Sequence, residues 1–421
     1  MGEAVQEIAA APARPFARIS ALTITLWFLT ALLEGIDLQS AGIAGPGIAK
    51  AFALNAAQMG RVFGFGTAGL CLSAALGGWL ADRYGRKRVL VWAVVVFGIF
   101  SLVTAQAWSY GTLLSARVLT GLGLGAAIPN LIALVFESTQ PGQRNTVVGM
   151  MYCGMPLGSA LAAAIGWAGL DHFGWQLIFY CGGLAPIIVA PLLAYCLRES
   201  PAFAPAARAQ RALAAAPTES VFGVLARHGR AAVTLTLWLS SFCTYFALYL
   251  LLNWLPTLLV HRGFSGSAAS AILVLFNLGG VTGIVAGGIL MDRWKHQAVV
   301  LFIYTGVIAV LLALSVLMSS VVNTMALLIC AFAADFFAAS SQMVQYGLAP
   351  LCYDTAGRGT GVGAMVGVGR TGAIAGPIAA GQLLAMGAGS AIVLSAGVPG
   401  LLLSALALLT MLTRSRAIVV R

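Results

Sequence analysis

Gly77-Gly78-Trp79-Leu80-Ala81-Asp82-Arg83-Tyr84-Gly85-Arg86-Lys87-Arg88 sets two adjacent glycines, one acid and four basic residues between two long apolar runs. Charge that dense does not lie in hydrocarbon, so the stretch predicts a short hydrophilic turn at a membrane surface, and its cations assign that turn to the cytoplasmic side. The same frame returns 210 residues later as Gly287-Gly288-Ile289-Leu290-Met291-Asp292-Arg293, matching at both glycines, the leucine, the aspartate and the arginine. In a chain of 421 residues that offset is half the length, which predicts two tandem copies of one membrane unit.

Hydrophobic residues make up 60% of the chain and charged residues 8%, with a mean hydropathy of +0.95. Soluble domains carry about 25% charged residues, so the composition predicts an all-α protein that crosses the membrane many times. The formal charge of +11 raises the question of a nucleic-acid partner, but the 23 Lys and Arg lie mostly at loop ends and form no stripe shared with aromatics. No nucleic acid is expected. The seven cysteines contain no C-x-x-C pair, and His172, His228, His261 and His296 all fall in predicted loops. Neither a disulfide framework nor a metal or cofactor site is expected, and proton chemistry within the membrane is left to carboxylates. Residues 1–18 are too polar for the core of a signal peptide, and the apolar run after them is too long for one.

Apolar runs of about 20 residues, the length that crosses ~30 Å of hydrocarbon, number twelve: 20–45, 57–81, 89–107, 111–135, 146–168, 175–197, 231–255, 268–291, 298–318, 323–348, 360–385 and 391–413. With the N-terminus inside, eighteen loop and tail cations fall on the cytoplasmic side, and only Lys50, Arg61 and Arg262 fall outside. Both termini are therefore expected in the cytoplasm. The expected organisation is a tail (1–19), a six-helix bundle (20–197), an Ala-, Pro- and Arg-rich cytoplasmic linker (198–230), a second six-helix bundle (231–413) and a tail (414–421). A fainter echo pairs Gly149, Gly154 and Gly158 with Gly367, Gly372 and Gly376, small residues spaced to let helix backbones approach. Gly367-Val368-Gly369-Arg370-Thr371-Gly372 spells G-x-G-x-x-G, but it lies inside a membrane run and follows no strand, so it predicts no dinucleotide site.

Five ionisable residues stay inside the spans: Glu34, Asp37, Arg117, Asp335 and Arg370. Each costs roughly 2.5–3.5 kcal/mol to insert, which makes a functional role the default and a structural ion pair its competitor. Glu34 and Asp37 are three residues apart and share a helix face, so their ionisation is coupled and they suit a proton carrier. Counting depth at 1.5 Å per residue puts Glu34 level with Arg117, and Asp335 level with Arg370, as two expected pairs. Arginine suits a substrate carboxylate because its fork makes two parallel hydrogen bonds and keeps its charge when desolvated. Tyr152, Tyr245, Tyr249, Phe336 and Tyr346 are candidate walls for an apolar ring, although helically spaced aromatics are more often packing. Asn253 and Gln342 are candidates for a ring hydroxyl, or for plain interhelical bonding.

Residues 78–89 resemble the signature between the second and third spans of the major facilitator superfamily, and the degenerate copy at 287–293 and Arg117 with Gly121 and Gly125 fit the same pattern. That resemblance implies two parallel halves around a midplane site, the architecture for which this superfamily is the standing example. Within it, Glu34-Gly35-Ile36-Asp37 together with Gly369-Arg370-Thr371-Gly372-Ala373 and Gly376-Pro377 resembles the aromatic acid:proton symporters, more narrowly the bacterial 3-(3-hydroxyphenyl)propionate transporters. The likeness runs over nearly the whole chain. It implies a bacterial inner-membrane symporter whose acid-Gly-x-Asp motif matters for transport. It also implies a cytoplasmic gate that includes Gly78, Asp82, Arg83, Gly85 and Arg86, the second-copy residues Asp292 and Arg293, and Glu137 and Arg144 as partners. Relatives commonly have Asp where this chain has Glu34, and Asp335 has no counterpart in the family pattern.

The resulting expectation is a monomeric twelve-span carrier that imports an aromatic carboxylate with protons and performs no covalent chemistry. A drug:proton exporter is disfavoured by two intramembrane arginines, which suit anions, and a membrane sensor by the short tails. Reporter fusions near Arg86, Arg211 and Arg293 should register as cytoplasmic and one near His261 as periplasmic. A periplasmic signal at Arg86 would overturn the span assignment.

Overall fold

The computed structural model describes residues 21–139, 144–199, 231–319, 323–353 and 358–414, and among them every regular element is helical. The helices are α1 (Ala21–Ala51), α2 (Ala56–Tyr84), α3 (Arg86–Ala105), α4 (Tyr110–Ser138), α5 (Arg144–Tyr152), α6 (Gly154–Phe173), α7 (Gln176–Cys196), α8 (Ala231–His261), α9 (Gly266–Arg293), α10 (His296–Leu317), α11 (Thr324–Leu348), α12 (Arg358–Ala385), α13 (Ser390–Ser395) and α14 (Val398–Arg414). Twelve stretches are long and apolar enough to cross a membrane; α5 and α6 share the fifth, and α13 and α14 share the twelfth. The tails and all but the first two residues of the expected linker lie outside the described residues.

The tandem repeat is carried in the helix boundaries. α2 and α9 begin at Ala56 and Gly266, α3 and α10 begin at Arg86 and His296, and α1 and α8 end at Ala51 and His261, each pair 210 residues apart. The caps repeat as well: Asn55 accepts from the backbone N–H of Gln58, and Ser265 accepts from that of Ala268. These caps satisfy donors that the first turn leaves open. Pro46 and Pro256 also repeat. The first and seventh spans, expected to stop at 45 and 255, instead continue through these prolines to Ala51 and His261. Within a bundle, neighbouring helices re-satisfy the backbone that a proline frees, so the helix need not end there.

Glycines set the distances between helices. A Cβ on Gly35 would collide with the Met155 backbone, and one on Gly158 with the Leu32 carbonyl, so α1 and α6 cross at backbone contact. α8 and α12 cross likewise, with Gly372 against Phe242 and Gly376 against Phe246. The third expected pair does not pack, since Gly149 and Gly367 have nothing within 4 Å. Gly121 and Gly125 seat α4 on α2, and Gly123 seats it on α3.

Contacts between the first six and last six spans gather at the end of the molecule opposite the cationic turn. There Gly60 of α2 lies against Pro377 and Gly381 of α12, Gly166 of α6 against Ser270 of α9, and Gly45 of α1 against Thr257 of α8. Across the same region Trp254 of α8 meets Phe63 of α2 edge-on at 5.4 Å, while its ring N–H donates within its own set of helices to the Pro377 carbonyl at 2.9 Å. Toward the cation-rich end, Gly78 of α2 and Gly363 and Gly367 of α12 face open space. Among the described residues the two sets of helices are thus seamed at one face, and the glycines named toward the other have no neighbour within 4 Å.

Gly35→Val should remove most folded, detergent-stable protein, because overpacking a tight backbone contact costs about 1–3 kcal/mol or more. Gly78→Ala should leave the melting temperature unchanged. Comparable melting of the two variants would refute this packing account.

Candidate functional site

Two polar constellations face each other near the middle of the helices. The first is built on α1, where the i, i+3 spacing sets Glu34 and Asp37 on neighbouring positions of one face. Both are buried, at 1% and 0% exposure. Asp37 Oδ2 accepts from Arg117 Nη1 of α4 at 3.4 Å, and Oδ1 accepts from the Ser101 hydroxyl of α3 at 3.1 Å. Arg117 also lies over the Phe179 ring of α7, 5.5 Å from its centroid, and beside Gly66 of α2. Asp37 therefore sits in a finished knot. Glu34 does not: its Oε2 is buried without a hydrogen-bond partner.

The second constellation surrounds Arg370 of α12. Arg370 Nη1 donates to the Tyr249 hydroxyl at 2.9 Å, and the guanidinium carbon lies 5.8 Å from the Tyr245 ring centroid. Tyr245 and Tyr249, one turn apart on α8, stack at 6.0 Å, and the Tyr245 hydroxyl bonds that of Tyr346 at 2.7 Å. Glu34 and Tyr152 stand close enough to act on Arg370 electrostatically. Among the described residues no carboxylate forms an ion pair with Arg370, which is half-buried. It presents an unneutralised fork inside an aromatic wall, an arrangement that recognises a planar anion with a ring attached.

The expected pairing is thus corrected. Arg117 meets Asp37 instead of Glu34, and Arg370 does not meet Asp335. Depth along a helix fixes height only, whereas partner choice depends on the direction a side chain takes around the axis. Asp335, 5% exposed, points at Gly280 of α9, away from α12. Phe336 belongs to a cluster with Phe332 and Phe337 on α11 rather than to the Arg370 wall. Gln345, not the expected Gln342, forms a buried network, with its amide nitrogen 2.8–3.0 Å from Ser240, Thr244 and Tyr304. Asn253 donates to the Tyr249 carbonyl at 2.8 Å and lines a small cavity with Arg117 and Tyr249. Ser101 and Gln345 gave no sequence signal, because single small or amide residues in an apolar run are commonplace.

At the cationic turn, Gly85 takes φ 101°, a conformation that other residues adopt only with strain. Arg83 lies over Trp79 and Tyr84 at 6.0 and 5.7 Å. Glu199, unremarked in the sequence, accepts from the Lys87 backbone N–H at 3.0 Å and so caps α3. Asp292 and Arg293 end α9 in exposed positions, and Lys295 stands where the first copy has Gly85, with φ −61°. Gly77, not Gly78, packs on α4 at Ala126. The side chains of Asp82, Glu137 and Arg144 lie outside the described residues.

Known proteins match along the whole length. The family described as Major Facilitator Superfamily matches residues 27–369. The chain is 47% identical to the 3-(3-hydroxy-phenyl)propionate transporter of Escherichia coli, across 93% of this chain and 94% of that protein. It is 36% identical to the 4-hydroxybenzoate transporter PcaK of Pseudomonas aeruginosa, across 89% and 88%. The inward open conformation of the xylose transporter XylE from E. coli superposes with a TM-score of 0.75 at 16% identity, over 91% of this chain and 94% of that one.

Removing one member of the Asp37–Arg117 pair strands a buried charge. Arg117→Gln should therefore destabilise the purified protein by about 3–5 kcal/mol, and adding Asp37→Asn should restore a large part of that loss. Additive losses in detergent melting would show that the two charges do not depend on each other.

Proposed function

The chain belongs to the Major Facilitator Superfamily, and on that footing we propose that it is a proton symporter importing an aromatic carboxylate across a bacterial inner membrane. The observation that carries this is Arg370, a cation with no acidic partner among the described residues, walled by Tyr245, Tyr249 and Tyr346 and near Glu34, whose Oε2 is buried without a hydrogen-bond partner. The named relatives, carriers of hydroxyphenylpropionate and hydroxybenzoate, support a substrate of hydroxyphenylpropionate or hydroxybenzoate type.

In this mechanism the substrate carboxylate takes the Arg370 fork and its ring lies among the tyrosines, with Tyr152 opposite. An ionised Glu34 repels the incoming carboxylate and competes for the same guanidinium. A proton on Glu34 removes both obstacles, so proton and substrate enter together. Release toward the cytoplasm reverses the sequence. Asp37 keeps its pairing with Arg117 throughout and anchors α1, which narrows the proton role of the two acids to Glu34. Asp335 has no part at this site, and its buried carboxyl stays neutral against α9. The bundles 20–197 and 231–413 rock about the site, and the cation-rich face is the cytoplasmic mouth. Asp82, Arg86, Glu137 and Arg144 act there as gate groups when that mouth closes. The carrier works as a monomer with both termini in the cytoplasm.

Arg370→Lys should weaken substrate binding by about 10- to 100-fold, nearly as much as Arg370→Ala, because an ammonium lacks the fork. Glu34→Gln should abolish accumulation driven by a pH gradient in proteoliposomes while sparing counterflow exchange. A Glu34→Gln carrier that still concentrates substrate would remove Glu34 from the coupling.

A further inference from the structure

Between α1, α2, α4 and α8 lies a cavity of about 20 Å³, bounded by Phe63, Thr67, Arg117, Leu124, Tyr249 and Asn253. That volume holds one oxygen atom with its hydrogen, the size of a water or a hydroxyl group, and excludes a ring or a carboxylate. Arg117, 5% exposed, is the charged residue of the lining.

The polar lining fixes what a group received here must do. Thr67 directs its proton to the Phe63 carbonyl at 3.2 Å, which leaves its oxygen able to accept. Asn253 uses one amide proton on the Tyr249 carbonyl, which leaves its side-chain oxygen as a further acceptor. A group received here has to donate to Thr67 or Asn253, which a hydroxyl does and a methyl, halogen or ether does not. Phe63 and Leu124 supply the apolar remainder of the wall.

The cavity is also within reach of the substrate. Tyr249 lines it while its hydroxyl bonds Arg370, so one phenol-sized ring already spans from the cavity to the carboxylate receptor. We propose that this cavity is the receptor for a ring hydroxyl of the substrate, with Thr67 and Asn253 as its specificity-determining residues. The inference rests on the substrate carboxylate sitting at Arg370. Because Asn253 comes from α8 and Thr67 from α2, the receptor is complete only while the seam between the two sets of helices is closed.

Equilibrium binding of 3-phenylpropionate and 3-(3-hydroxyphenyl)propionate to the purified full-length carrier tests this. The wild type should prefer the hydroxylated acid by about tenfold or more, as sites built to bond a hydroxyl reject its absence. Thr67→Val and Asn253→Leu should each cut that preference to about threefold or less by weakening the hydroxylated acid alone. Thr67→Ser should keep it. Binding of 3-phenylpropionate by each variant reports an intact site, and if one variant does not fold the other decides. Equal affinity of the wild type for the two acids, or an unchanged preference in a folded Thr67→Val or Asn253→Leu variant, would overturn the hydroxyl receptor while leaving the Arg370 reading standing. Failure of the wild type to bind either acid would overturn both.

Discussion

One carboxylate and one guanidinium, Asp37 and Arg117, are buried together where α1, α2, α3, α4 and α7 converge. Neither charge is tolerable there alone, since an unpaired buried ion costs several kcal/mol. Their pairing fixes the rotation of α1, and that rotation decides where the residue three positions earlier points. Glu34 is delivered toward Arg370 because Asp37 is held by Arg117. The glycine between them, Gly35, admits the backbone of α6, so a four-residue motif joins an anchor, a crossing point and a free acid.

The two repeats divide the chemistry unequally. Thr244 and Ala247 stand 210 residues after Glu34 and Asp37, and Ala331 stands where α11 would repeat Arg117 of α4. The second repeat therefore contains no counterpart of the ionic knot and instead joins α8, α10 and α11 through the neutral network of Ser240, Thr244, Tyr304 and Gln345. Neutral hydrogen bonds hold helices together without a charge that must be balanced. That leaves Arg370 as the one ionised group of its constellation, open to a partner that arrives from outside.

Much of this was legible in the residues. The cationic turn and its half-length echo predicted the repeat, and the starts of α2 and α3 against α9 and α10, with the ends of α1 and α8, keep the offset to the residue. The five intramembrane charges were recognisable because each is expensive. Their partners were not, because hydropathy and depth carry height but no azimuth. Gln345 and Gln342 differ by three positions on one helix, yet only one reaches α8 and α10. Small-residue spacing named Gly149 and Gly367 along with true contact points, since a glycine in sequence does not say whether a neighbour lies over it.

Two polar bonds cross the closed seam among the described residues: Gln39 to the Leu252 carbonyl at 3.2 Å, and Ser267 to Asp171. Otherwise it is backbone laid on glycine, contact that comes apart and re-forms without stripping water from an ion. The ionic knot, by contrast, lies wholly within one set of helices. In the proposed rocking of the two bundles, the mechanical work of each turnover falls on a surface of low adhesion, while the strong charge pairing travels as part of a rigid body. A carrier that rocks in that way cleaves along one plane repeatedly because the Asp37–Arg117 bond was never placed across it.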